Sequence, residues 1–109
     1  MENDPLAPNE CAERLSALAA PERLRIIQIL RSGPRNATEL SELLDTAPVN
    51  VSHHVKVLKG AGLIQSRKQG RFVYFSLTPG ICIDDGESAR LNLGCCKLEL
   101  PSSGQAEAD

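Results

Sequence analysis

Four cysteines are the side chains of this 109-residue chain best suited to metal or redox chemistry. The N-terminus is acidic and no apolar run follows it, which argues against a secretory signal and predicts a cytoplasmic protein. No stretch approaches the roughly 18 consecutive apolar residues of a membrane helix. Because thiols stay reduced or bind metals in the cytosol, we expect free thiols or metal ligands rather than two disulfides. The cysteines are Cys11, Cys82, Cys95 and Cys96.

The basic side chains are distributed unevenly along the chain. Its 12 Lys and Arg and 14 Asp and Glu give a formal net charge of −2. Between Thr46 and Ile83, however, there is no acid, and this segment carries five cations, both histidines and all the aromatic residues. An acid-free basic segment in an acidic protein is a candidate nucleic-acid footprint, and a solvated basic face is the alternative.

Apolar spacing and helix-terminating residues predict four helices. The first places Cys11 on one stripe with Leu15 and Leu18, and the second is apolar over a wide arc, typical of a buried helix. The third begins with a capping box of Asn36 and Glu39. The predicted bounds are residues 9–19, 21–32, 37–44 and 48–59, the last two joined by a short turn as in a helix-turn-helix.

Residues 63–67 and 71–77 are predicted to form a β-hairpin, with a turn at 68–70. A hairpin directly after a helix-turn-helix indicates a winged helix-turn-helix, a mainly α fold with a small hairpin (α+β). Beyond it, residues 81–83 are predicted as a short strand, 84–86 as a turn, and 91–100 as a strand with a bulge at Gly94-Cys95. We therefore expect a flexible arm (1–8), a winged-helix DNA-binding and dimerisation domain (9–78), a strand-like cysteine-containing extension (79–101) and a disordered tail (102–109).

The fourth helix has the side chains that read DNA. Helical spacing buries Val51, Val55 and Leu58, and His54 borders that side, where packing or capping is its expected role. Hydrogen-bonding side chains on the outward face suit base edges and phosphates, and an inert polar surface is the alternative. The predicted DNA contacts of this helix are Asn50, Ser52, His53 and Lys56, with Lys59 one turn beyond.

The hairpin tip carries Arg67, Lys68 and Arg71. Cationic side chains on a tip suit backbone phosphates or the minor groove, so these three are further predicted DNA contacts. Ordinary solubilising charge is the alternative explanation.

Three separated motifs in this order resemble the ArsR/SmtB family of winged-helix repressors: APERLRI at 20–26, VSHHVKVLKGAGLI at 51–64 and GRFVYFSL at 70–77. The resemblance spans about residues 9–78. It implies a homodimer that binds a palindromic operator in double-stranded DNA, with Asn50, Ser52 and His53 facing the DNA. It also implies release of the operator by a metal, metalloid or oxidant.

The chain departs from the family pattern at three places. Pro48-Val49-Asn50 stands where many members have Gln-Pro-Thr, so operator preference is expected to differ. The third helix lacks the Cys-Val-Cys motif of arsenic-sensing members. The tail has no His and does not have a helical pattern, unlike that of zinc-sensing members, so we expect the first helix to carry more of the dimer contact.

The tail cysteines are the predicted inducer site. Cys82, Cys95 and Cys96 offer three thiolates, a soft donor set that suits As(III), Sb(III) or another soft metal ion such as Cu(I). Zn(II) is disfavoured because its sites usually take four Cys or His ligands. Thiol redox or persulfide sensing and simple packing are alternatives. Cys11 is either a further ligand or a buried packing residue.

The main functional prediction is therefore a transcriptional repressor that needs no obligatory cofactor and is released from its operator by a thiol-reactive inducer. One alternative is a redox-sensing repressor of the same fold. Another is a protein-interaction winged helix that docks a partner through the aromatic residues of the hairpin. A thiol enzyme is disfavoured, because the sequence has neither a Cys-x-x-Cys pair nor a Ser-His-Asp constellation.

Overall fold

A computed structural model describes residues 8–84 and 89–100 of the protein. The predicted arm (apart from Pro8), most of the turn predicted at 84–86, and the tail from residue 101 lie outside these ranges. No helix within them is long and apolar enough to cross a membrane. The described elements are α1 (Pro8–Ala17), α2 (Pro21–Leu30), β1 (Arg35–Asn36), α3 (Ala37–Leu44), α4 (Pro48–Gly60), β2 (Ile64–Gln69), β3 (Phe72–Leu77), β4 (Cys82–Asp84), β5 (Ala89–Asn92) and β6 (Lys97–Leu100).

The last three helices begin at the predicted residues and α1 begins one residue earlier, whereas α1 and α2 each end two residues before their predicted ends. Proline occupies the first turn of α2 and of α4, where the missing N–H has no helical partner to lose. The predicted capping box of α3 is confirmed. The backbone N–H of Glu39 donates to Oδ1 of Asn36 at 2.8 Å, and the backbone N–H of Asn36 donates to Oε1 of Glu39 at 3.0 Å. Asp45 ends α3 in the left-handed region, with φ of 56°, and so turns the chain toward α4.

The core forms where α2, α3 and α4 meet. Ile26 and Ile27 are completely buried, as the wide apolar arc of the second helix predicts, and so are Leu40 of α3 and Leu58 of α4. The apolar stripe predicted for the first helix is wrong at Leu15, which is 39% exposed. The reason is that α1 contributes to the core through its C-terminal end, where Ala17 and Leu18 are buried.

The predicted hairpin is confirmed as β2 and β3, which pair antiparallel with Gln69 opposite Phe72. The turn predicted at 68–70 is wrong in position, because Lys68 and Gln69 still pair with β3. The connection is therefore the pair Gly70 and Arg71, and Gly70 supplies the positive φ of 65° that the turn requires. The two-residue strand β1 completes the sheet in the order β1-β3-β2. With α3, the turn and α4 before it, this hairpin makes the fold a winged helix-turn-helix of the α+β class, as predicted.

The C-terminal extension forms a second antiparallel sheet, in the order β4-β5-β6. The short strand expected near Cys82 is confirmed, but the single bulged strand expected over residues 91–100 is wrong. The chain reverses between Asn92 and Lys97, which face each other as a pair, and Gly94 has φ of 91° in the connection. Reversal explains why the apolar positions change parity at Gly94. Leu91, Leu93 and Leu100 join the main core.

Candidate functional site

The outward face of α4 is polar and solvent-exposed. Ser52, His53 and Lys56 are all exposed, and the apolar side chains of the opposite face, Val51 and Leu58, are completely buried. The predicted division of this helix into a core side and a surface side is therefore confirmed. No acidic residue lies on α4 or in the hairpin that follows it. The surface therefore offers hydrogen-bond donors together with positive charge. Base edges accept hydrogen bonds from such donors, and phosphates attract the positive charge.

A hydrogen-bond network fixes the turn before α4. The hydroxyl of Ser41 donates to the carbonyl oxygen of Thr46 at 2.6 Å, which ties α3 to the turn. The side-chain amide of Asn50 donates to Oγ1 of Thr46 at 2.9 Å. Asn50 is exposed, and this bond restrains its side chain at the N-terminal end of α4. These bonds therefore hold the turn against α3 and restrain one predicted DNA contact.

His54 occupies the border of the core, as predicted, and contacts a residue that the sequence analysis did not single out. Its Nδ1 lies 3.2 Å from Nη1 of Arg23 on α2. Desolvation lowers the pKa of His54, and the positive charge of Arg23 lowers it further. The two residues are 31 positions apart, so helix periodicity contains no signal for their contact. His53, whose ring centroid is 5.4 Å from that of His54, is exposed on the outward face.

The two faces of the wing differ in their relation to α4. Nζ of Lys59, near the end of α4, donates to Oγ of Ser66 at 2.8 Å, which marks the face of β2 turned toward that helix. Side chains alternate along a strand, so Lys68 shares this face and Arg67 lies on the other. Arg67 pairs with Tyr74 across the hairpin, and both line an open groove of about 630 Å³ that Ser66 also borders. Arg71 is exposed in the turn at the tip.

Three of the four cysteines come together where α1 meets the loop between β5 and β6. Cys11 and Cys95 form a disulfide, and Sγ of Cys96 lies 3.9 Å from Sγ of Cys95. The three sulfurs all lie within 4.8 Å of one another. The expectation that every cysteine is a free thiol or a metal ligand is therefore wrong for Cys11 and Cys95 in this structure. The loop places Cys95 against α1, and no sequence spacing reveals this approach across 84 residues.

The cysteine cluster differs in membership from the predicted set. Cys11 belongs to it, half-buried at the surface of α1, in addition to Cys95 and Cys96. Cys82 is half-buried on β4, packs against the main core and is not part of the cluster. Three soft sulfur donors this close together could hold a thiophilic ion once the disulfide is reduced, because thiolate sulfur is the ligand that such ions prefer.

The model for bacterial regulatory proteins of the arsR family matches residues 20–66, which run from the start of α2 into the wing. The chain is 39% identical over 74 residues to the HTH-type transcriptional regulator NmtR of Mycobacterium tuberculosis, a match that covers 68% of this chain and 62% of the relative. It is 31% identical over 68 residues to the transcriptional repressor SdpR of Bacillus subtilis, which covers 62% of this chain and 76% of that protein. The chain thus spans less than two thirds of the length of NmtR.

Among solved structures, the fold is similar to the homodimeric winged helix-turn-helix DNA-binding domain Mb0332 of Mycobacterium bovis, described as a possible ArsR-family transcriptional regulator. The TM-score is 0.62 and the sequence identity 26%, over 64% of this chain and 65% of the other. The similarity leaves about a third of this chain unmatched.

Proposed function

Because the chain belongs to the ArsR/SmtB family of winged-helix transcriptional regulators, we propose that it is a homodimeric, DNA-binding transcriptional repressor. The observation that carries this proposal is the outward face of α4, which combines exposed hydrogen-bonding side chains with a surrounding segment free of acids. In a two-fold symmetric dimer, two such helices enter successive major grooves about one helical turn apart, so the operator is a short inverted repeat.

The proposed contacts divide into two groups by chemistry. Asn50, Ser52 and His53 can donate to or accept from base edges, so they determine which sequence is bound. The exposed cations bind phosphates and contribute affinity that depends on salt. These cations are Lys56 on α4, Lys68 and Arg71 on the wing, and Lys59, whose bond to Ser66 holds it between the two elements.

Fluorescence anisotropy with DNA fragments from upstream of the gene, at a fixed salt concentration, tests the proposal. The reduced protein is expected to bind one fragment tightly and to lose affinity as salt is raised. The double variant Ser52→Ala/His53→Ala should bind that fragment no better than unrelated DNA. A protein-interaction role for the fold predicts the opposite pattern, in which this variant functions normally and Phe72→Ala, a change at an exposed wing residue, abolishes function.

We further propose that As(III) or Sb(III) is the inducer and that the reduced cluster of Cys11, Cys95 and Cys96 binds it. The support is the donor set, since three soft sulfurs with no fourth ligand beside them among the described residues suit a trigonal pyramidal ion better than tetrahedral Zn(II). Three thiols displace three hydroxides of arsenous acid, forming three As–S bonds and three waters. A thiol reductant must first supply two electrons and two protons to the disulfide and itself become oxidised to a disulfide, because a bonded sulfur has no thiol proton to lose.

A panel of As(III), Sb(III), Cd(II), Zn(II), Cu(I) and peroxide, added to the reduced protein–DNA complex, identifies the inducer. Release by As(III) and Sb(III) at the lowest concentrations is the expected result. Cys96→Ser should prevent it, and Cys82→Ser is the matched control, since Cys82 lies outside the cluster and should respond like the parent. Equal loss of response in both variants would contradict the assigned ligands.

A second candidate is oxidative release, and the Cys11–Cys95 disulfide is the observation that favours it. A peroxide takes two electrons from the two thiols, so that one S–S bond forms and the peroxide leaves as water and an alcohol or a second water. In this case peroxide releases DNA from the parent and from Cys96→Ser, but not from Cys11→Ser. The different behaviour of Cys96→Ser separates the two inducers.

A further inference from the structure

Arg23 links the helix that carries Cys11 to the helix proposed to face DNA. Its Nε donates to the carbonyl oxygen of Ala17 at 2.7 Å, and its Nη1 lies 3.2 Å from Nδ1 of His54. Both contacts are partly buried. Ala17 is the last residue of α1, where backbone carbonyls have no partner within the helix. One guanidinium therefore satisfies the end of α1 and holds the border of α4.

The chemistry of the two groups fixes which one donates the hydrogen bond. A guanidinium can only donate, so Nδ1 of His54 must accept and its ring is neutral, with the proton on Nε2. Burial and the charge of Arg23 both keep the pKa of His54 below its ordinary value of 6.5, which favours the same neutral form. Through Arg23, the orientation of the His54 ring thus depends on the position of the C-terminal end of α1. His53, which precedes His54 in the sequence, faces outward.

The other end of α1 belongs to the cysteine cluster. Cys11 and Ala17 are six residues apart on one helix, which is about 9 Å along its axis. A helix of this length moves as a rigid body, so a change in the separation between Cys11 and the loop cysteines also displaces the carbonyl that Arg23 holds. Arg14, on the same helix, lies with its guanidinium beside Gly62, just after α4. In the described structure two arginines therefore lie between α1 and α4. Arg14 reaches only the residues after α4, whereas Arg23 contacts a side chain of α4.

We propose that Arg23 is the positioning residue that transmits occupancy of the cysteine cluster to α4, through the carbonyl of Ala17 and the imidazole of His54. The inference rests on the proposed function and names how its two sites communicate. In the structure Cys11 is bonded directly to Cys95, and Arg23 keeps both contacts. Binding of As(III) to the reduced thiols places the two sulfurs on one ion, which separates them by more than an S–S bond does and so moves the end of α1. Arg23 then cannot keep both contacts, and α4 leaves the orientation that matches the operator.

The test measures how much As(III) weakens operator binding, rather than operator binding alone. The ratio of operator Kd with As(III) to operator Kd without it is determined for the parent, for Arg23→Gln and for Arg25→Gln. Arg25 is exposed on the same helix, so the control removes the same charge without the link. Ordinary allosteric coupling gives the parent a ratio of about 5 to 150. Arg23→Gln is expected to reduce the ratio to about 2 or less, and Arg25→Gln to leave it within about twofold of the parent. As(III) absorbance titrations should show that all three bind the metalloid.

A second pair of variants keeps the test decisive if Arg23→Gln unfolds. His54→Ala removes the acceptor and should lose coupling, whereas His54→Asn, whose amide oxygen can take the position of Nδ1, should restore it. If Arg23→Gln or His54→Ala keeps the Kd ratio of the parent protein, the proposal is overturned. Equal loss in Arg25→Gln also overturns it, since that would show a general effect of charge.

The imidazole NMR signal of His54 separates this proposal from the proposed function. In the absence of DNA, As(III) should shift that signal in the parent and in Arg25→Gln, but not in Arg23→Gln. If the parent shows this shift yet never binds or releases an operator, the proposed function fails and the link stands. If the parent releases its operator and the His54 signal does not move, the link is refuted and the proposed function stands.

Discussion

Two adjacent cations on the wing should contribute very unequally to DNA binding. Lys68 lies on the face of β2 that Ser66 and Lys59 mark as turned toward α4, and Arg67 lies on the other face beside Tyr74. The sequence predicts DNA contacts for both residues, but the position of Arg67 on the other face removes it from the proposed contacts. We therefore expect Lys68→Gln to weaken operator binding and Arg67→Gln to have little effect. The two substitutions remove the same charge from neighbouring positions, so each is the matched control of the other.

The magnitude follows from the number of phosphates released. Each substitution acts twice in a dimer, and each lost phosphate contact changes the slope of log K against log salt by about 0.9, so Lys68→Gln should reduce the slope by about 1.8. At about 0.1 M salt, a slope change of this size lowers the affinity for the operator by roughly 60-fold, if the release of counterions accounts for the whole effect. For Arg67→Gln only screened long-range attraction is lost, which we expect to be worth less than about threefold.

Anisotropy titrations of the operator at several salt concentrations, from about 0.05 to 0.2 M, measure both quantities. The free protein should keep its circular dichroism spectrum in both variants, because both side chains are exposed. Equal slopes for the two variants, or a larger loss for Arg67→Gln, would refute the assignment of the two wing faces.

Three further predictions concern the stability of the fold and are checked by urea unfolding. Asn36→Ala removes the acceptor of the α3 capping box and should lower the free energy of unfolding by about 1 kcal/mol; an unchanged value would mean that the box does not stabilise the helix. Leu58→Ala, at a completely buried position, should cost about 2–5 kcal/mol, whereas Val49→Ala, at a position 72% exposed, should change stability by less than about 0.5 kcal/mol. Because the folded pKa of His54 lies below 6.5, its contribution to stability is complete above pH 6.5 and is lost as pH falls through the folded value. His54→Asn should therefore reduce the acid destabilisation in this range, and an identical pH profile would contradict the assignment.

Local sequence signals predicted the elements well where those signals are strong. The capping box at Asn36, the prolines that open α2 and α4, and the alternation around the wing each act within a few residues, so their effect can be inferred without a structure. The strand β1 was not predicted, because two residues have no periodicity and their pairing with β3 is a tertiary contact. The turn at Gly94 was interpreted as a bulge because both features change the parity of apolar positions.

The candidate site was predictable only in part, for the same reason. The outward face of α4 follows from helical geometry, and the exposure of Ser52 and His53 agrees with it. The partners of Cys95 and His54 cannot be inferred from helical geometry. Cys95 is 84 positions from Cys11, and His54 is 31 positions from Arg23. Such contacts depend on how the C-terminal sheet and α2 pack, and no local pattern encodes that packing.

The proposed repressor and its inducer are tested most directly by native mass spectrometry of the reduced protein with its operator, titrated with As(III). We predict a complex of one dimer per operator, and its dissociation when each chain has bound one arsenic through three sulfurs. Dissociation should require Cys96, because this thiol completes the cluster with Cys11 and Cys95. A complex that persists after every chain carries arsenic, or a reduced protein that binds no upstream fragment in a salt-dependent way, would contradict the account.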